Sequence, residues 1–236
     1  MSRTKLNGRF RNRLLSVLSA GDLADLSGHF EPVTLARRSQ LEFPNRKIEY
    51  VYFLEHGVAS FVGASHNESQ VEVSLVGCEG VTGIPVILGN EQSPLATYVQ
   101  LSGSGQRIAT PSFLAVMERR PAIRTLLLHF VQTVLIQNAQ TAVANARATI
   151  EERLARWLLM AHDRIDGDDI ALTHEFISLL MGIRRPGVTE ALQAFAQQGL
   201  VRAERGLIIV VDRDGLLQKA GRYYGVPEAE FDRLIG

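Results

Sequence analysis

Hydrophobic and polar positions divide the chain into a strand-rich first half and a helical second half. Leucines over residues 14–26 predict a short pair of helices, with a break and a new cap near Ser19. After Phe30 the pattern changes to short β-branched or aromatic runs separated by Gly, Asn, Pro and Ser. The predicted strands cover residues 33–35, 48–54, 59–62, 71–75, 97–101 and 106–109. Short strands at this rhythm are typical of a β-sandwich, jelly roll or barrel.

A long helical region follows Pro111. No proline or glycine lies between Pro121 and Met160, which predicts one or two long helices with Pro121 in a first turn. A heptad-like seam of residues three and four apart favours pairing between two chains. Its members are Ile123, Leu127, Phe130, Val134, Gln137 and Thr141. The alternative is a helix that packs only on its own sheet. Residues 150–163 predict a further amphipathic helix.

Two short helices meeting at a glycine are predicted between Thr173 and Gln198. Thr173 is a good helix N-cap, Gly182 breaks the first helix, and the second begins near Arg185. The side of the second helix away from its apolar residues carries groups that can reach bases or phosphates in a major groove. These groups are Arg184, Arg185, Pro186, Thr189, Glu190 and Gln193. Taken alone, the same residues could simply be a solvated helix surface.

A strand hairpin directly after these helices favours DNA binding. Residues 200–204 and 207–211 are strand-like and are joined at Arg205 and Gly206, where glycine supplies the turn. A helix-turn-helix followed by a hairpin with an arginine at its tip suits one helix in the major groove and a wing on the neighbouring backbone. We therefore predict a winged helix-turn-helix that binds double-stranded DNA.

Composition limits the alternatives. The 25 basic and 25 acidic residues cancel, which disfavours nonspecific wrapping of nucleic acid but allows a small basic reading surface. The basic start of the chain lacks an apolar signal segment, and no apolar run reaches membrane-spanning length, so we expect a cytoplasmic protein without a membrane partner. Cys78 is the only cysteine, which excludes an intramolecular disulfide and a four-cysteine iron–sulfur or zinc site within one chain.

Four segments resemble the Crp/Fnr family of bacterial transcription regulators, and the resemblance extends over nearly the whole chain. They are "YVYFLEHGVASFV" with "LVGCEGVTG", residues 121–145, and "LTHEFISLLMGIRRPGVTEALQAF". The resemblance implies an α+β chain: a double-stranded β-helix (jelly-roll) domain like those that bind cyclic nucleotides, at 1–120, a dimerisation helix at 121–147, and a winged helix-turn-helix at 148–236. It also implies a homodimer on a near-palindromic site. RNA polymerase and an unidentified small-molecule effector are further candidate partners.

The resemblance also assigns roles on the reading surface. Thr173 and His174 fall where the family contacts phosphate, and Arg185, Pro186 and Glu190 fall at its base-reading positions. The catabolite activator has Arg, Glu and Arg at those three positions, and only the first is retained in this chain. An arginine contact to guanine is therefore expected at Arg185, whereas the operator sequence cannot be carried over.

The resemblance places a candidate effector pocket at Gly80, Val81, Thr82, Gly83, Thr97 and Asn138. The Glu and Arg that hold cyclic AMP in the family are missing, and no Arg occurs between Arg46 and Arg107, so we expect no cyclic nucleotide at the usual place. An iron–sulfur cluster is excluded by the single cysteine. Haem is not expected from six scattered histidines, although His129 is the one to test. Cys78 is either an inert packing residue or, if exposed beside positive charge, a redox sensor.

Two other classes of protein compete with this prediction. One is a ligand-binding interaction module that does not touch DNA. The other is an enzyme on a cupin-like barrel, for which His56, His66, Glu55, Glu68 and Glu72 are available. These residues do not form the His-x-His pattern of a metal-bearing cupin, and no nucleophile motif or phosphate-binding glycine loop is present. We therefore predict a protein that is not an enzyme.

Overall fold

The computed structural model describes residues 10–64 and 70–236. Residues 1–9 of the basic start and the candidate residues His66 and Glu68 lie outside this range. The N-terminal elements are α1 Arg13–Ser16, α2 Ala20–Ser27, β1 Glu31–Leu35, β2 Gln40–Glu42, β3 Tyr50–Ala64, β4 Gln70–Val76, α3 Ile84–Ile87, β5 Ala96–Ala109 and α4 Thr110–Arg119. The remainder are α5 Pro121–Arg147, α6 Ile150–His162, β6 Asp169–Ile170, α7 His174–Met181, α8 Arg185–Gln197, β7 Val201–Glu204, β8 Leu207–Val210, α9 Arg213–Ala220 and α10 Val226–Leu234.

The N-terminal domain is an antiparallel β-roll with strand order β1-β5-β3-β4, in which β2 also pairs with β5. Strands predicted separately at 48–54 and 59–62 are one long strand, β3, and those at 97–101 and 106–109 are both part of β5. Gly57 interrupts the pairing rather than the strand, because its φ of 86° bends β3 where the register with β5 shifts. The prediction of extra strands was wrong because a bulge and a turn have similar sequence signals.

Helix α5 packs its buried side against the β-roll of the same chain. Its 27 residues begin at Pro121, which lies in the first turn as predicted. Of the six seam residues, Thr141 is half-buried. The other five are at most 6% exposed within a single chain: Ile123, Leu127, Phe130, Val134 and Gln137. The assignment to a dimer interface is therefore wrong for the five buried residues, and for the half-buried Thr141 it stays a prediction. The heptad-like spacing reflects packing on the chain's own sheet, which was the alternative interpretation.

The C-terminal domain has a three-stranded sheet of order β6-β8-β7 and packs around a second core, to which β3, β4 and β5 of the β-roll each contribute one residue. Trp157 and Leu158 of α6, Ile177 of α7 and Leu192 and Phe195 of α8 are buried together there. The strands of the predicted wing are observed, and the two-residue strand β6 that pairs with β8 was not predicted. Helix α10 instead packs on α5, so the end of the chain contributes to the first core.

Candidate nucleic-acid interface

A helix-turn-helix is built from α7 and α8 as the sequence predicts. The Thr173 hydroxyl accepts a 3.2 Å hydrogen bond from the backbone N–H of Phe176 and so caps α7. Gly182 ends that helix with a φ of 61°, a left-handed conformation that glycine adopts without strain. Helix α8 then begins with Pro186 in its first turn, where no backbone N–H is needed. The local sequence therefore fixes both the start and the elbow of the motif.

Helix α8 has one buried side and one free side. Val188, Leu192 and Phe195 are fully buried and hold the helix in the C-terminal core. The opposite side is exposed, as predicted, at Arg184, Arg185, Pro186, Glu190 and Gln193. These side chains are therefore available to a major groove, which is wide enough to admit one helix.

Thr189 is half-buried and positions neighbouring groups. Its hydroxyl donates to the carbonyl oxygen of Arg185 at 3.2 Å and lies 3.2 Å from Nδ1 of His174. Burial, followed by the positive charge of Arg185, holds the pKa of His174 below its usual value. His174 therefore links the starts of α7 and α8 as a neutral imidazole whose protonation an approaching phosphate would favour.

The wing lies beside the helix-turn-helix. Glu204 pairs with Leu207 across the turn made by Arg205 and Gly206, and Gly206 has a φ of 76°. A surface cavity of about 510 Å³ separates the wing from the two helices and is lined by Thr173, His174, Arg185 and Arg205, among others. The predicted phosphate-contacting residues Thr173 and His174 and the predicted base-reading Arg185 are thus brought together on one concave surface.

The β-roll contacts the helix-turn-helix on its other side. The guanidinium groups of Arg37 and Arg38 lie over the ring of Phe176, at 5.5 and 5.8 Å from its centroid. Gly182 lies against Val71 of β4, where an added Cβ would be 3.1 Å from a Val71 methyl. These contacts fix the direction of α7 while the reading side of α8 stays exposed.

The candidate effector pocket is filled in this structure. Gly80, Val81, Thr82, Gly83 and Thr97 are all buried. A Cβ on Gly80 would be 2.2 Å from the Phe130 ring, so that position is closed by α5. Asn138 is half-buried on α5, and its Oδ1 has no hydrogen-bond partner within the part of the chain that the structure describes. The assignment of an effector site to these residues stays a prediction, with the position of Gly80 closed by α5.

Glu42 of β2 occupies the polar centre of this region. Its carboxylate accepts hydrogen bonds from the backbone N–H of Gly83 at 2.6 Å and from the Thr97 hydroxyl at 2.9 Å. Burial raises the pKa of the Glu42 carboxyl above its usual value. Donors that could serve a bound anion are therefore already used by a side chain of the protein, which lies too far away in sequence for its role to be predicted.

The remaining candidate chemistry is accounted for by local contacts. His56 and His162 are paired with Asp166 and Asp168 at 2.9 and 2.8 Å. Cys78 is buried and burial raises the pKa of its thiol, which is the state of a packing residue.

Within residues 10–64 and 70–236, no group of three or more His, Cys, Asp or Glu is placed to hold a metal ion. Within the same ranges, no helix is both long enough and apolar enough to cross a membrane.

A second face of α5, missed by sequence reasoning, is exposed and also follows a heptad. Its residues are spaced three and four apart and all are exposed: Thr125, Leu128, Gln132, Leu135, Ala139, Ala142 and Ala146. Leu128 and Leu135 are 40% and 61% exposed in the single chain, which is unusual for leucines seven apart on one helix. This spacing is visible in the sequence, but the same helix also carries the buried seam. Only the fold shows which of the two faces the β-roll covers.

Comparison with known proteins supports the helix-turn-helix. Residues 152–219 match the family model described as a Crp-like helix-turn-helix domain. The match covers α6 through most of α9 and therefore includes both the reading helix and the wing. No curated protein sequence matches the chain significantly.

Solved structures with the same fold cover most of the chain. FixK2 from Bradyrhizobium japonicum has a TM-score of 0.70 at 17% identity, over 81% of this chain and 98% of its own. A putative transcriptional regulator of the Crp/Fnr family from Eubacterium rectale has a TM-score of 0.67 at 15% identity, over 86% and 95%. The global regulator CLP from Xanthomonas campestris has a TM-score of 0.65 at 13% identity, over 81% and 99%. Residues 152–219 thus match a Crp-like helix-turn-helix domain, and the chain shares the α+β fold of these solved structures, one of which is described as a Crp/Fnr regulator.

Proposed function

We propose that the protein is a homodimeric transcription regulator that binds a near-palindromic DNA site in a sequence-specific manner. The observation that carries the proposal is the free side of α8, where Arg184, Arg185 and Glu190 are exposed beside the wing. The buried side of the same helix is anchored in the C-terminal core, so these groups are presented on a rigid element. Rigid presentation favours base discrimination, because the backbone that carries these side chains needs no ordering on binding.

Different residues on this surface have different roles. Arg185 reads a base edge in the major groove, where arginine suits guanine. Thr173 and His174 bind phosphate at the start of α7, and Arg205 binds the backbone beside the groove. The three arginines that line the concave surface, Arg38, Arg185 and Arg205, outnumber its two acidic residues, so this surface attracts phosphate although the whole chain has no net charge.

The partner chain packs along the exposed heptad of α5. Leu128 and Leu135 supply apolar contacts, and the alanines that follow let two helices approach closely toward the C-terminal end. A second copy of this chain is the favoured occupant because the same seam on both chains is self-complementary about a two-fold axis. Two reading helices related by that axis would meet successive major grooves about 34 Å apart.

No cyclic nucleotide binds at the usual place in this protein. The Glu42 carboxylate uses the Gly83 and Thr97 donors and would repel a ligand phosphate. CLP is described as responsive to cyclic di-GMP, so that dinucleotide belongs among the effectors tested beside cyclic AMP. RNA polymerase is the expected partner at a promoter, and the cytoplasm is the expected location.

Selection of bound sites from random duplex DNA tests the proposal. The expected result is a two-fold symmetric motif with half-sites about one helical turn apart, enriched by the full chain. The selection should be repeated with a metabolite extract, because an effector could be needed for tight binding. A flat base distribution in both selections would overturn the proposal and would favour the alternative of an interaction module that does not touch DNA.

A further inference from the structure

A second cavity lies where α10 packs over α5, outside the reading surface and outside the filled region around Glu42. Its volume is about 320 Å³, at the lower end of the range usual for small-molecule sites. Leu75, Phe130, Val134 and Phe231 form an apolar wall. The β-roll, α5, the end of α6 and α10 all contribute residues, so a bound ligand would contact both domains.

Most of the charges that line this cavity are already paired. Asp163 accepts from Arg213 at 2.6 Å and from the Tyr224 hydroxyl at 2.6 Å. Glu79 accepts from Nε of Arg164 at 2.8 Å. Because these pairs neutralise one another, they form the wall of the cavity and leave few groups to recognise a ligand.

Two buried side chains keep free donors at the cavity. Gln137 is 5% exposed, and its Oε1 accepts from the Ser74 hydroxyl and from the backbone N–H of Leu75. Arg164 is 6% exposed, and its Nε and Nη1 are used by Glu79 and by the carbonyl oxygen of Met160. Nε2 of Gln137 and Nη2 of Arg164 have no hydrogen-bond partner among the described residues, and neither is sealed from solvent. Both donors therefore suit an oxygen acceptor on a ligand.

One carboxylate at the cavity has no cation bonded to it. Oε2 of Glu228 accepts from the backbone N–H of Gly225 at 3.1 Å, and the backbone N–H of Glu228 itself also hydrogen-bonds to the carboxylate. Burial raises the pKa of this carboxyl, while the nearby positive charges of Arg164 and Arg156 act to lower it. An ammonium group would supply the directly bonded cation that this carboxylate lacks among the described residues.

We propose that this cavity binds a small primary amine that also carries a carbonyl or carboxylate oxygen and an apolar group, which is the chemistry of an apolar amino acid or its amide. The ammonium pairs with Glu228, the oxygen accepts from Arg164 and Gln137, and the apolar group lies against Phe130 and Phe231. An effect of this ligand on DNA binding would rest on the proposed function. Binding of the ligand to the cavity does not depend on that function.

Isothermal titration of the full chain without DNA tests the proposal. The probes are L-leucine, L-phenylalanine and phenylalaninamide, with phenethylamine and 3-phenylpropanoate as ligands that each lack one polar end. We expect at least one of L-leucine, L-phenylalanine and phenylalaninamide to bind. Phenethylamine and 3-phenylpropanoate should each bind about tenfold more weakly than that ligand, or worse. Absence of binding by all three at millimolar concentration, or equal binding of the single-ended analogues, would overturn the proposal.

Variants on α10 separate this site from a general effect of charge. Glu228→Gln keeps the shape of the side chain and removes its charge, and should weaken binding about tenfold or more. Glu230→Gln is the matched control, because Glu230 lies on the same helix, pairs with Arg233 and does not line the cavity. Thermal unfolding of both variants checks that they are folded. Equal affinity of Glu228→Gln and the unchanged chain would contradict the assignment of the ammonium contact.

Discussion

The indole Nε1 of Trp157 donates a 2.7 Å hydrogen bond to Oε1 of Glu72, and this contact joins α6 to β4 of the β-roll. The Ser60 hydroxyl donates to the other oxygen of the same carboxylate. Burial raises the pKa of Glu72 to about 7. An ionisable group therefore lies at the junction between the two domains.

The raised pKa makes stability depend on pH. Glu72 holds its proton in the folded chain and releases it in the unfolded chain between pH 4.5, its ordinary value, and about 7. Its contribution to the free energy of unfolding is therefore fully present below pH 4.5 and is lost as the pH rises toward 7. Glu72→Gln removes this dependence and should stabilise the chain at pH 8 by up to about 3 kcal/mol, with little change at pH 4.

Thermal unfolding of the variant and the unchanged chain across this pH range measures the effect. Glu118→Gln serves as the control, because Glu118 is exposed and the substitution should leave the curve unchanged. A Glu72→Gln curve parallel to that of the unchanged chain would show that the carboxyl titrates normally.

Base reading and backbone binding should separate on the DNA surface. Arg185→Ala should cost about 1–3 kcal/mol on the selected site and relax base choice at one position, because the lost contact is to a base edge. Arg205→Ala should weaken selected and random DNA alike, because its contact is to phosphate. Fluorescence anisotropy on both kinds of duplex measures this, with Arg46→Ala as a control for loss of an exposed charge. Equal losses on both duplexes for Arg185→Ala would contradict its role.

The exposed seam of α5 should determine the oligomeric state. Leu135→Glu places two like charges opposite each other in a dimer and should weaken association on the order of a hundredfold. Leu88→Glu is a matched control, since Leu88 is 60% exposed and lies outside the seam. Sedimentation velocity at several concentrations distinguishes monomer from dimer. A dimer that survives Leu135→Glu would place the interface elsewhere.

Cyclic AMP should not stabilise the protein. A ligand that binds the folded chain raises its melting temperature in proportion to the logarithm of its concentration over Kd. Because Glu42 fills the site, we expect no shift at millimolar cyclic AMP, whereas a regulator known to bind cyclic AMP should shift under the same conditions. A concentration-dependent rise in melting temperature would show that Glu42 can be displaced.

The helix-turn-helix and its wing were predicted from signals that each involve only a few neighbouring residues. The cap at Thr173, the elbow at Gly182 and the glycine turn at Gly206 each act within a few residues, and so the reading unit was identified from its sequence. The family model that matches residues 152–219 confirms that unit. Short-range chemistry of this kind does not depend on the rest of the fold.

Long-range packing could not be predicted in the same way. Helix α5 has two heptad-like faces, and the choice between them depends on where the β-roll lies. Glu42 reaches Gly83 across 41 positions, and Glu72 reaches Trp157 across 85. Periodicity reports which positions are apolar, but it does not report which surface covers them.

The ratio of affinities for the selected duplex and for random duplex tests the central claim most directly. We predict that the full chain binds its selected site at least about a thousandfold more tightly than random DNA at physiological salt, with two chains on each duplex. A ratio near one, or a single chain on each duplex, would contradict a symmetric dimer that reads DNA through α8.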